Sequence, residues 1–140
     1  MRVLIDTPIW SLALRRKSQQ LSEPQSAMVA AWAALVRGKK VVLVGPVRQE
    51  LLSGVRDVAD FDRLCNHLRA FDDEALTVED YEEAARCFNT CRSAGVAGSN
   101  VDFLLCAAAI RRHIPIFTTD ADFDRYAKRL PIRRYESRLP

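Results

Sequence analysis

Three short runs, apolar at every position or nearly so, each leading into a carboxylate or a helix-opening proline, do most to limit what this chain can fold into. Val3-Leu4-Ile5 runs into Asp6-Thr7-Pro8, Val41-Val42-Leu43-Val44 into Gly45-Pro46, and Ile116-Phe117-Thr118 into Thr119-Asp120. A strand with one wet face alternates apolar and polar residues. One that is apolar throughout is covered on both faces, which is the habit of a parallel sheet flanked by helices. Segments of helical period fill the intervals, so the pattern is that of a single α/β domain with a mainly parallel sheet spanning 1–140.

The helical segments have readable ends. Ile9 to Arg15 makes a short helix after Pro8, a residue suited to a first turn. Arg16 to Pro24 is polar and loop-like, and Pro24 opens an Ala-rich helix that stops at Arg37-Gly38. Pro46 to Ser53 and Ala59 to Ala70 are further helices, and Ala75-Leu76 is expected as the core of a brief third strand. Thr77, with Asp80 three residues on, has the form of a capping box for a helix running to Ser93-Ala94-Gly95. Val101 to His113 is apolar almost all round and must be largely buried. Asp122 to Arg129 is expected as a short helix and Pro131 to Arg134 as a last strand.

Composition excludes several classes. With 49% apolar and 28% charged residues the chain is neither disordered nor fibrous, and a net charge of +3 does not by itself specify a nucleic-acid partner. The longest apolar run, Ala27 to Val36, is half of the roughly 20 residues a membrane span needs. No leader is visible, so a cytoplasmic location is expected. Cys65, Cys87, Cys91 and Cys106 form no CxxC pair and read as buried small side chains. His67 and His113 stand alone at helix ends or on the surface. Trp10 and Trp32 read as core or interface aromatics.

Four carboxylates fall in one kind of place. Asp6 ends the first strand, Asp120 follows the fourth, Glu50 lies early in the helix after the second, and Asp102 starts the buried helix. In an open parallel sheet, strand ends and the helix starts that follow them gather at one edge, where such folds bind ligands. Gathered acids repel and raise one another's pKa. A divalent cation reverses that balance, and hard oxygen donors without His or Cys favour Mg²⁺ or Mn²⁺ over zinc. Such an ion can orient and acidify water beside a phosphoryl oxygen, so phosphodiester hydrolysis is the implied chemistry. Taken singly, each acid has a structural explanation as a turn, cap or solvated residue.

Leu4-Ile5-Asp6-Thr7, Val47-Arg48-Gln49-Glu50-Leu51-Leu52-Ser53-Gly54, Asp102-Phe103-Leu104-Leu105-Cys106-Ala107-Ala108-Ala109 and Thr118-Thr119-Asp120-Ala121-Asp122-Phe123, in that order, resemble a PIN domain. The resemblance is greatest to toxins of the VapC type and covers the chain from Arg2 to about Arg134. It implies a PIN-like, Rossmann-like three-layer α/β/α sandwich with a central, mainly parallel sheet. It also implies an Mg²⁺-dependent endoribonuclease, with Mn²⁺ able to substitute, restrained by a VapB-like antitoxin. By that match Asp6, Glu50 and Asp102 are principal metal ligands and Asp120 the fourth acid. Thr118 stands at the rim, and Thr7 braces Asp6. Asp122 either faces the metal or caps the helix beginning at Phe123. Asn100 either reaches substrate or caps the buried helix.

Toxins of this type form homodimers that pair their acidic clefts. The antitoxin tail lies in an apolar channel, which the helix Ala27 to Val36 and Trp10 are expected to line. RNA contacts are sought among Arg15-Arg16-Lys17, Lys39-Lys40, Arg111-Arg112, Lys128-Arg129 and Arg133-Arg134, with the first cluster and Arg48 favoured. Two rival enzyme classes fit poorly. A haloacid-dehalogenase-like site wants an Asp where Pro8 stands, and a receiver domain wants adjacent acids at its first strand. The remaining alternative is a catalytically silent PIN-like module that binds RNA or a partner.

Overall fold

The computed structural model describes residues 1–16 and 18–136. Lys17, grouped above with Arg15 and Arg16, lies outside the described residues. The described elements are β1 (Val3–Ile5), α1 (Thr7–Leu14), a 3₁₀ turn (Ser18–Gln20), α2 (Glu23–Arg37), β2 (Val41–Val42), α3 (Gly45–Leu52), α4 (Val58–Leu68), α5 (Val78–Ser93), α6 (Asn100–Arg112), β3 (Ile116–Phe117) and α7 (Asp122–Ala127).

The three strands form one parallel sheet in the order β2-β1-β3. Val3 lies opposite Val41, and Leu4 opposite Val42 on one side and Ile116 on the other. The chain leaves β1 toward β2 and later returns to the opposite flank of β1. The carboxyl end of β1 is therefore the switch point of the sheet, the place where open α/β sheets present their crevice. Helices α1 to α4 pack as one group and α5 with α6 as another, which agrees with the expected α/β/α sandwich.

Two expected strands are shorter than the sequence suggested. The segment read as a strand at Ala75-Leu76 pairs two residues earlier and through a single bridge, Leu43 with Asp73. Pro131 to Arg134 likewise contributes only the bridge of Arg134 to Ile116. Nearby charges hold both segments by their side chains instead. Arg48 Nε donates to Asp73 Oδ1 at 2.9 Å and Arg134 Nη2 to the Thr118 carbonyl at 2.7 Å.

Helix ends follow local chemistry. Ser22 and Gln25 exchange side-chain and backbone hydrogen bonds at 3.2 and 3.0 Å, a capping box that starts α2 one residue ahead of Pro24. The box at Thr77 and Asp80 forms as the sequence implied. His113 closes α6 in the left-handed conformation at φ 55°, exposed at the helix end.

The core centres on β1 and α6: Val3, Leu4 and Ile5 are buried, as is every residue from Phe103 to Ala109. Trp10 is fully enclosed, donates its Nε1 hydrogen to the Ile5 carbonyl at 3.2 Å, and packs edge-on against Trp32 and Phe71. It belongs to the core, so the expectation that it lines an open channel is not met. Cys87, Cys91 and Cys106 are buried as free thiols, and desolvation pushes all three thiol pKa values upward. No described helix is long and apolar enough to cross a membrane.

Candidate metal centre

Asp6 follows the last residue of β1 and caps α1. Its backbone N–H continues the sheet to the Phe117 carbonyl at 2.9 Å, and its Oδ1 accepts from the Thr7 N–H at 2.8 Å. Its Oδ2 accepts from the Thr118 hydroxyl at 2.8 Å. Thr118 is itself buried at the end of β3 and accepts from the Asp120 N–H at 3.0 Å, so one hydroxyl ties the first acid to the fourth. Thr7 does not brace Asp6 through its side chain as expected: only its N–H reaches Asp6, and its hydroxyl donates to Glu50 Oε1 at 3.0 Å, fixing the exposed Glu50 of α3 beside α1.

Asp102 occupies the first turn of α6. Ser99 caps that helix by accepting from the Asp102 N–H at 3.1 Å. Asn100 is therefore not the cap; it lines a surface groove with Tyr81, Phe88 and Leu104. Carboxylate oxygens of Asp102, Asp120 and Asp122 all lie within 4.8 Å of one another. The structure thus brings both Asp120 and Asp122 to Asp102. Asp122 does not cap α7 with its side chain. Asp120 Oδ1 accepts from the Asp122 N–H at 2.9 Å, while Asp122 Oδ1 accepts from Arg125 at 2.7 Å.

Asp6 and Glu50 are not among the acids whose oxygens lie within 4.8 Å of one another; Thr7 links these two acids, and the Thr118 hydroxyl links Asp6 to the Asp120 backbone. Burial, above all, raises the Asp6 pKa from 3.8 to about 6, and the charges of Asp102 and Glu50 add to the rise against the opposing hydrogen bonds of Thr118 and Thr7. Asp102 is also raised, by desolvation first and then by the charges of Asp120 and Asp122, against the Tyr126 and Ser99 hydrogen bonds. Asp102 is the member common to both sets. The donors are all oxygen, crowded and partly desolvated, with no His or Cys among them. That set suits a hard divalent cation and does not suit zinc.

A PIN-domain family model matches residues 3–129. The chain is a PIN domain. Among solved structures the PIN domain is similar in fold to FitAcB from Neisseria gonorrhoeae, at 17% identity and a TM-score of 0.75, covering 96% of each chain. It is similar as well to VapBC2 from Rickettsia felis bound to a DNA fragment from their promoter, at 16% identity and a TM-score of 0.73, covering 97% of this chain and 98% of the other. The search of curated proteins gives no match.

Sequence reasoning missed two supports of this PIN domain's acidic group. Ser99 was legible as the [ST]-x-x-[DE] spacing ahead of Asp102. Tyr126 had no local signal, because its hydroxyl meets Asp102 across a long sequence separation. Several basic residues considered for RNA are engaged elsewhere. Arg48 holds Asp73 and the Phe71 carbonyl, Arg111 and Arg112 hold Asp80, and Arg134 holds Asp124.

The raised pKa of Asp6 has a signed consequence. Below about pH 3 the carboxyl is protonated in the folded and the unfolded chain alike, and the buried neutral form costs nothing extra. Between about 4 and 6 the unfolded chain ionises while the folded chain keeps its proton, so stability falls as pH rises, and above the folded value the loss is complete. In urea unfolding of metal-free protein, Asp6→Asn is expected to match wild type at pH 3. By pH 7.5 it should exceed wild type by about 2–3 kcal/mol. An unchanging difference between those pH values would show that Asp6 is not desolvated in solution.

Proposed function

We propose that this PIN domain is an Mg²⁺-dependent endoribonuclease and the toxin of a type II toxin–antitoxin pair, with Mn²⁺ able to replace Mg²⁺. The observation that carries the reading is the gathering of Asp102, Asp120 and Asp122, with Asp6 at the switch point of the sheet tied to the Asp120 backbone through the Thr118 hydroxyl. A purely binding module gains nothing from burying mutually repelling carboxylates. A divalent cation held among them would supply the positive charge that offsets the repulsion, and the chemistry it would bring is activation of water and polarisation of a phosphoryl oxygen.

Asp6, Glu50, Asp102 and Asp120 are the residues proposed to hold the ion, with Asp122, one oxygen of which accepts from Arg125, as an accessory. Thr118 holds Asp6 and the Asp120 backbone in register, and Thr7 holds Glu50. With Arg48, Arg111, Arg112 and Arg134 spoken for, exposed Arg15 and Arg16 at the end of α1, Lys39 and Lys40 before β2, and Lys128 and Arg129 after α7 remain as candidates for backbone phosphates.

A VapB-like antitoxin is the proposed partner, by the likeness to the VapBC2 complex. In place of a channel at Trp10, a groove between α1 and α4 has the chemistry for an acidic, apolar tail. Leu14, Val55 and Leu64 line it together with Arg15, Arg16, His67 and the Arg63–Asp60 pair. A homodimer that pairs two acidic clefts is part of the same proposal.

The test is cleavage of a mixed cellular RNA pool by antitoxin-free protein, with Mg²⁺ and with EDTA. Discrete products that need Mg²⁺ are expected, and sequencing their ends identifies the target. Folded, metal-bound protein that leaves every RNA intact would favour the silent binding module.

A further inference from the structure

We infer that Tyr126 is a positioning residue for Asp102, and that Gly98 exists to let it reach. The inference rests on the metal reading above and adds to it two residues that none of the acidic motifs contain.

Tyr126, on α7, is fully buried, yet its ring ends in a polar atom. That hydroxyl donates to Asp102 Oδ2 at 2.6 Å, within the short range of hydrogen bonds to an ionised acceptor. The ring has little freedom to do otherwise. Phe103 and Phe123 pack against it at centroid distances of 5.0 and 5.2 Å, and Phe103 sits next to Asp102 on α6.

Gly98 closes the remaining side. A Cβ at that position would overlap the Tyr126 hydroxyl and lie 2.8 Å from its Cζ and 2.9 Å from the Phe103 ring. Its φ is not in the left-handed region, so the glycine is required for space and not for backbone conformation. The loop carrying Gly98 also carries Ser99, which fixes the Asp102 backbone. Backbone and side chain of the shared carboxylate are therefore held from one loop and one ring.

The consequence is orientation. With Oδ2 bound to the phenol and the main chain bound to Ser99, Asp102 cannot swing freely between Asp6 on one side and Asp120 and Asp122 on the other. Groups that orient a metal-binding side chain typically change metal affinity by 10- to 100-fold when removed.

The test is Mn²⁺ binding by calorimetry to full-length wild type, Tyr126→Phe and Gly98→Ala, with thermal unfolding of the metal-free proteins alongside. Tyr126→Phe keeps the ring and its packing. It is expected to bind Mn²⁺ about 10-fold more weakly with a native near-UV spectrum, and the Mn²⁺ concentration for half-maximal cleavage should rise by the same factor. Gly98→Ala displaces the hydroxyl by a different route and is expected to weaken binding similarly. The double variant should show less than the product of the two effects. Wild-type affinity in a folded Tyr126→Phe would overturn the inference while leaving the metal reading intact. Absence of Mn²⁺ binding by wild type would overturn both.

Discussion

Asp6→Asn is expected to reduce Mg²⁺-dependent RNA cleavage by roughly 10³-fold, the equivalent of several kcal/mol of lost metal-assisted stabilisation, in a protein that folds at least as well as wild type. The two halves of that expectation come from the same geometry. Asp6 is buried at the end of the central strand, with one oxygen on the Thr7 N–H and the other on the Thr118 hydroxyl. Asparagine fills the same space, caps α1 equally well, and presents no charge to Glu50 or Asp102. The metal-free fold therefore loses a source of repulsion, while the proposed ion loses the donor set deepest in the sheet. Cleavage rates with Mg²⁺ and chemical unfolding without it, measured on one preparation, check both parts. Full activity in Asp6→Asn would place the chemistry elsewhere in the chain. Lost activity with lost stability would make Asp6 a structural residue.

The second large effect lies far from the acids. Asp80→Ala is expected to destabilise the fold by about 3–5 kcal/mol, because removing one member of a buried charge pair leaves the other without compensation. For a domain of this size that is a fall of roughly 10–15 °C in Tm. The Asp80 side chain has no exposed surface. It receives Arg112 through both Nη atoms at 2.8 Å, Arg111 at 2.8 Å and the Thr77 N–H at 2.8 Å. Arg112 in turn reaches Glu74 at 2.6 Å and the carbonyls of Ala75 and Ala108. One carboxylate thus joins the start of α5, the end of α6 and the segment leading into α5.

These hydrogen bonds, Arg112 foremost, hold the Asp80 carboxyl well below the usual range. Its contribution is present above the ordinary aspartate value and is lost only on strong acidification. That is the opposite sign to Asp6. Arg111→Ala, with a more exposed side chain, should cost about 1 kcal/mol or less. Asp102 and Arg112 stand at opposite ends of α6, about 15 Å apart along the axis. Mn²⁺ affinity should accordingly be unchanged in a folded Asp80 variant, and calorimetry alongside the melting curve tests that separation. A Tm within a few degrees of wild type would mean that water replaces the carboxylate in this cluster.

What the sequence disclosed and what it hid divide along a physical line. β1, β3 and α6 were legible because their burial is continuous, and a run such as Phe103 to Ala109 has one explanation. That Asp102 and Asp120 lie together was legible because parallel sheets put strand ends and helix starts on one edge, whereas Asp122 had two open readings. Asp73 was not, since a single bridging residue has no period to detect, and the more apolar Ala75-Leu76 attracted the assignment two residues late. The charged pairs were also opaque. A sequence shows that Arg111 and Arg112 are basic, but not that a buried carboxylate thirty residues away neutralises them. Tyr126 belongs to the same class, since nothing in its short helix signals that its hydroxyl meets Asp102.

The single-residue pairings at Asp73 and Arg134 bear on how the molecule behaves among its own copies. A sheet edge with several free N–H and C=O groups in line is a template on which another chain can add a strand. Here each flank tapers to one bridge, held inward by the Glu74 and Tyr135 N–H groups on the Leu43 and Ile116 carbonyls, so the outward edge is only a residue or two long. Charged side chains stand at both borders, and the sheet offers no straight rail to copy. Strands this short give an added chain few partners in line, so edge-to-edge pairing is disfavoured at both flanks.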